Sequence, residues 1–171
     1  MSPQSHSASY ARLLCFLVAV TYFVYAAYTP HTWHLIDGAN LLIHEGGHGI
    51  TIFFGEFINI AAGSLLQILF PVLFSIYFFF RKEIYSACVT LLWMGESMVN
   101  VGIYAGDALD MSLPLIGGED VIHDWNYLLT HTNTLSHAQG IGLGIKSAGL
   151  LIIIVAVVIA LVHWKNTQRA I

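Results

Sequence analysis

FINIAAGSLLQILFPVLFSIYFFF, residues Phe57 to Phe80, contains no charged side chain. As a helix, a run of this length crosses the ~30 Å hydrocarbon core of a bilayer. Lipid offers the backbone no hydrogen-bond partners, so a spanning segment must satisfy its own N–H and C=O groups and is helical. Pro71 lies inside the run and is expected to bend it. Gly55-Glu56 precedes the run and Arg81-Lys82-Glu83 follows it. The whole chain has the same character. Of its 171 residues, 57% are hydrophobic and 9% charged, and the mean hydropathy is +0.72. Soluble domains carry roughly 25% charged residues. A water-soluble globule and a disordered chain are both excluded. A net charge of −4 excludes a nucleic-acid partner.

Further apolar segments flank this run. Upstream, Thr32 to Phe54 forms one span, and Pro30 separates it from Leu13 to Tyr28. The triplet Val24-Tyr25-Ala26 loosely fits a signal-peptide cleavage site. Tyr22, Phe23, Tyr25 and Tyr28 suit a retained span better, and the segment is read as the first transmembrane helix. Residues 1–11 are polar and expected to be flexible. Downstream, Ile84 to Gly106 is interrupted only by Glu96, and Ile145 to Trp164 is the last span. Between them, residues 107–135 form a loop rich in His and Asp. It contains an irregular stretch, Asp107 to Gly118, and a short helix, Asp120 to Leu129, expected at the interface. The expected fold is all-α. It is a polytopic membrane helix bundle of about five transmembrane helices plus a short interfacial helix, in a single domain over 1–171. Its partner is the lipid bilayer. Cys15 and Cys88 lie in apolar runs without CxxC spacing and read as small buried hydrophobes. Five alternating spans put Arg81, Lys82, Lys165 and Arg169 on one side, the cytoplasm by the positive-inside rule. Arg12, Lys146 and the His-rich loop then face out.

The chemistry is concentrated in His44-Glu45-Gly46-Gly47-His48. This is HExxH in a helical, apolar context. Histidines at i and i+4 share one helix face and can reach one metal ion, with the intervening Glu placed to take a proton from water. Unpaired, two His and one Glu are costly inside a hydrophobic helix. The alternative is a polar cluster that only holds helices together. At about 100° per residue, His34, Asp37, Leu41, His44 and His48 form one stripe with Glu45 at its edge. Asp37 either orients a ligand or caps the start of the helix.

A zinc site needs a third protein donor. Asp107 and His123 are both suitable, singly or together, and Asp124 can hydrogen-bond a ligand. Glu96, Asn100 and Asp107 share a helix face. Glu96 and Asn100 either pair with Gln67 as glue between helices or line the metal cavity.

These residues resemble two groups of proteins. HExxH in a hydrophobic helix, with a later Asp at the end of another span, resembles the site-2-type intramembrane zinc metallopeptidases. The Asn…Pro…Leu-Asp-Gly segment of those enzymes is absent. Asn100 is followed by Asp107 without an intervening proline or a following glycine, and Leu109-Asp110 is followed by Met111. A second resemblance covers most of the chain. Asp37-Gly38, the HEGGH motif, Phe54-Gly55-Glu56-Phe57, Gly63 with Gln67 and Pro71, Tyr104 with Asp107-Ala108, and His123-Asp124-Trp125 look like a family of small bacterial membrane proteins. Its HExGH, DA and HDW elements imply one site built from three separated segments, in a bacterial inner membrane.

The resulting functional expectation is a zinc-dependent membrane hydrolase, most plausibly a peptidase acting on a membrane protein or peptide. His44 and His48, with Asp107 or His123, hold Zn2+, and Glu45 is the general base. The alternative is a non-enzymatic metal-binding membrane protein, whether carrier, sensor or assembly factor. A third reading is a structural subunit whose buried polar residues lock helix packing.

Overall fold

The computed structural model describes residues 3–114 and 122–170. Among them there are six α-helices and no strand: α1 (Pro3–Tyr28), α2 (Leu35–Thr51), α3 (Glu56–Phe80), α4 (Ile84–Gly106), α5 (Asp124–His131) and α6 (Ala138–Ala170), with one 3-10 turn at Leu135–His137. Four of them, α1, α3, α4 and α6, are long and apolar enough to cross a membrane. The molecule is an all-α membrane helix bundle. Its N-terminal stretch, expected to be loose, is helical from Pro3. The short helix begins at Asp124 rather than Asp120, and residues 115–121 of the loop lie outside the described residues.

The expected second span is the element that differs most. α2 has 17 residues and is about 25 Å long, short of a bilayer core. Its start is fixed by Asp37, whose Oδ2 accepts the otherwise free N–H of His34 at 2.6 Å. Its direction also differs from that of an alternating bundle. α2 is antiparallel to α3, since His48 meets Asn59 and His44 meets Gln67. α3 is antiparallel to α4, since Ser75 meets Thr90 and Gln67 meets Asn100. So α2 runs the same way as α4. α1 does too. It is antiparallel to α6 through Ser9–Gln168 and Tyr10–Trp164, and α6 is antiparallel to α4. α1 and α2 therefore point in one direction, and the connector doubles back between them. The Tyr22 hydroxyl accepts the Ile36 N–H at 2.9 Å, which sets the start of α2 beside the last two turns of α1.

This stagger relocates one charge. Arg12 lies between Tyr10, packed on Trp164, and Phe16, packed on Tyr85. It shares the end of the bundle with Arg81, Lys82, Lys165 and Arg169 instead of facing them across it. Only Lys146, of the six Lys and Arg, is at the other end.

α4 organises the interior. One face carries Cys88, Leu92 and Val99 into an apolar core with Phe16 and Phe23 of α1 and Ile153, Ala156 and Ala160 of α6. Gly95 and Gly102 lie on that face, and Gly149 and Gly142 oppose them on α6. A Cβ on any of these four would stand 2.4–2.7 Å from a backbone atom of the partner helix or from the Ile153 side chain. Small residues let helix backbones approach closely, which drives association in lipid. The other face of α4 carries Trp93, Glu96, Ser97, Asn100 and Tyr104 toward α2 and α3.

Candidate metal centre

α2 lies against α3, with Gly47 in contact with Ala62 and Gly63. A cavity of about 820 Å³ is bounded by α2, α3, α4 and the segment leading into α5. His44, Glu45 and His48 of α2 border it, with Gln67 of α3, Asn100 and Tyr104 of α4, and Asp124. The centre sits near one end of the bundle. Asn59 is in the first turn of α3 and Tyr104 in the last turn of α4, so the histidines lie about 5–10 Å inside the helix ends.

The hydrogen bonds settle which ring nitrogens are free. His48 Nδ1 is 2.8 Å from the backbone carbonyl of Asn59. A carbonyl only accepts, so Nδ1 carries the proton and Nε2 of the neutral ring presents a lone pair. His44 Nδ1 donates to Gln67 Oε1 at 3.3 Å. Gln67 is oriented in turn by donating through Nε2 to Asn100 Oδ1 at 3.0 Å. His44 Nε2 is therefore a lone pair as well. Both face a single carboxylate oxygen: Asp124 Oδ2 is 2.8 Å from His44 Nε2 and 3.4 Å from His48 Nε2. With neutral rings, three acceptor atoms converge within 4.8 Å of one another. A cation placed between them would satisfy all three. His44, His48 and Asp124 can hold a metal ion. The partners on the far nitrogens are of the kind that fix ring orientation in metal sites.

Gly63 leaves the space beside both Nε2 atoms open. A Cβ at this position would lie 2.6 Å from both Nε2 atoms. Asp124 is placed by three hydrogen bonds. Its N–H donates to the Tyr104 hydroxyl at 3.0 Å. Its neighbours anchor α5, Trp125 Nε1 to Ser64 Oγ at 3.0 Å and Asn126 Nδ2 to the Ala108 carbonyl at 2.9 Å.

The third member of the group is Asp124, and neither Asp107 nor His123 joins it. His123 Nδ1 accepts the Asn126 N–H at 3.2 Å, capping α5. That leaves the His123 proton on Nε2, which faces Asp107 Oδ2 at 3.5 Å. Neither nitrogen has a lone pair for a cation. Asp107 is occupied with the turn that follows α4, accepting from the Ser112 hydroxyl and N–H and from the Leu113 N–H. Burial alone would raise its pKa. The donors from Ser112, Leu113 and His123 outweigh that and hold the carboxyl below its ordinary range.

The other polar residues divide between this centre and separate contacts. Gln67 and Asn100 support His44. Glu96 is not part of that chain. It accepts from Asn40 Nδ2 at 2.9 Å, and Asn40 Oδ1 accepts from Trp93 Nε1 and Ser97 Oγ. Asp37 caps α2 and touches His34, not the HExxH histidines. Glu45 is exposed on the cavity wall beside His44. Three contributors carry no assigned role in the sequence reading. Asn59 orients His48 through a backbone carbonyl, which no residue type signals. Asn40 lies one turn before His44 and carried a findable signal as an amide on the cavity side. Tyr104 is an aromatic in an apolar helix, indistinguishable from packing. Comparisons of the chain with protein-family models, curated proteins and solved structures return no match.

Proposed function

We propose that the chain is a zinc-dependent membrane hydrolase of the HExxH type, acting on peptide bonds in a bacterial inner membrane. The observation that carries this reading is the convergence of His44 Nε2, His48 Nε2 and Asp124 Oδ2 on one point beside an open cavity, with Glu45 on its wall. Two imidazoles and one carboxylate beside an open cavity form a donor set that would suit catalytic zinc. When bound, zinc supplies Lewis acidity to a carbonyl oxygen and lowers the pKa of water. The chain's own residues do the rest. Gln67 and the Asn59 carbonyl hold the imidazoles in register. Glu45 accepts a proton from water as its oxygen bonds to the carbonyl carbon. Glu45 then returns that proton to the nitrogen as the C–N bond breaks, giving a carboxyl group and an amine. With five of the six cations at the far end of the bundle, the positive-inside rule puts that end in the cytoplasm and the metal centre near the opposite face.

Purified protein tests this directly. Glu45→Gln retains zinc at wild-type stoichiometry and loses cleavage of detergent-solubilised peptides by ~100-fold or more, the usual worth of a general base. His48→Ala loses zinc. Equal cleavage by wild type and Glu45→Gln overturns the mechanism. Zinc bound without turnover in either protein identifies a metal carrier or sensor instead.

A further inference from the structure

Tyr104 is a polar group of the cavity that the mechanism leaves unused. Its hydroxyl accepts the Asp124 N–H at 3.0 Å, which holds the oxygen beside the third donor residue. No acceptor for its own proton is found among the described residues. The ring is wedged between two imidazoles, 6.2 Å from His44 and 4.3 Å from His123 between centroids. The hydroxyl group is thus fixed in place with a hydrogen to donate, on a residue that lines the cavity. It belongs to α4, whereas Glu45 belongs to α2.

We infer that Tyr104 is a catalytic hydrogen-bond donor to the oxygen that becomes negative during hydrolysis, an assignment that rests on the hydrolase reading. Water activated by Glu45 attacks from the α2 side, and the carbonyl oxygen takes up charge facing α4. A preorganised donor at that position acts where charge develops and needs no reorganisation during the reaction. One donor of this kind is typically worth about 10²–10³ in rate. The phenol also explains why Asp124 is held through its backbone. Its side chain is left free for the ion while its N–H fixes the donor's oxygen.

Acetohydroxamate, a small oxyanion that occupies an open zinc position, tests the assignment without a substrate. Wild type and Tyr104→Phe are loaded with zinc in detergent, and metal content and hydroxamate affinity are measured by calorimetry. The expected result is equal zinc in the two proteins and hydroxamate binding about 10–100-fold weaker in Tyr104→Phe, as for a lost hydrogen bond to a charged acceptor. Equal hydroxamate affinities overturn the assignment and leave the hydrolase reading standing. Loss of zinc from Tyr104→Phe makes the residue an anchor for Asp124 only and also overturns it. A wild-type chain that takes up no zinc, or takes up zinc but no hydroxamate, overturns the hydrolase reading and this assignment together.

Discussion

Two helix pairs in this molecule approach closely over glycine, for opposite reasons. Between α4 and α6, Gly95 and Gly102 face Gly149 and Gly142, and the space a side chain would need is filled mostly by backbone. Between α2 and α3, Gly47 also meets backbone, at Ala62, but on α3 Gly63 faces the Nε2 atoms of His44 and His48. The first contact is a closed seam, continuous with the apolar core of Phe16, Leu92 and Ile153. The second keeps a gap open where lone pairs converge. A glycine against backbone serves packing, and a glycine against the working ends of side chains serves chemistry. α4 belongs to both regions, with glycine and aliphatic residues on one face and Glu96, Asn100 and Tyr104 on the other.

The largest expected effect comes from filling the closed seam. Gly142→Leu would drive its side chain into Gly102 and Gly106, neither of which can move without moving α4. Overpacking a core costs ~1–3 kcal/mol even where side chains can shift, and a backbone obstacle is worse. The helix pair should separate. The measurement is size-exclusion elution in detergent with a thermal melt, and a monodisperse protein of unchanged melting temperature would mean that the seam is not tightly closed.

Filling the gap at the other pair should leave the fold standing. In Gly63→Ala the new methyl meets imidazole rings, which can rotate away. The bundle should melt within a few degrees of wild type, and on the proposed zinc reading zinc affinity falls ~10–100-fold, the range seen when the groups around metal ligands are disturbed. Parallel losses of stability and metal would make the two seams alike.

The contrast also marks what the sequence could disclose. α3 and α4 are legible almost to the residue, because an uncharged run between Glu56 and Arg81 and another, broken only by Glu96, between Glu83 and Asp107 leave lipid as the only compatible solvent. The spacing of His44 and His48 needs only helical geometry. The seam was not legible, since Gly95 with Gly102 acquires meaning only when Gly142 and Gly149 are known to oppose them. Nor was the direction of α2, which depends on a hydrogen bond from Ile36 to Tyr22 across the connector. The third donor depended on a choice between neighbours. His123 and Asp124 are both plausible ligands, and in the fold His123 caps α5 while Asp124, anchored through Tyr104, Trp125 and Asn126, meets the histidines.

Asp107 provides the smallest effect and the finest separation of the two roles. It is a carboxylate beside the metal centre that belongs to the packing of the turn. Its pKa lies below the ordinary 3.8, because Ser112, Leu113 and His123 donors outweigh its burial. A carboxyl depressed in the folded state stabilises fully above its ordinary value and loses that contribution as pH falls through the lowered one. Wild type should therefore lose melting temperature on acidification below pH ~4 more steeply than Asp107→Asn. At neutral pH the variant should melt only a few degrees lower, consistent with ~1 kcal/mol for a side chain that caps a turn. On the proposed zinc reading its zinc affinity should match wild type, because Asp107 contacts His123 and the turn rather than His44, His48 or Asp124. A zinc affinity that falls tenfold or more in Asp107→Asn would show that the pair formed by Asp107 and His123 holds Asp124 in place, and that the turn and the metal centre are one unit.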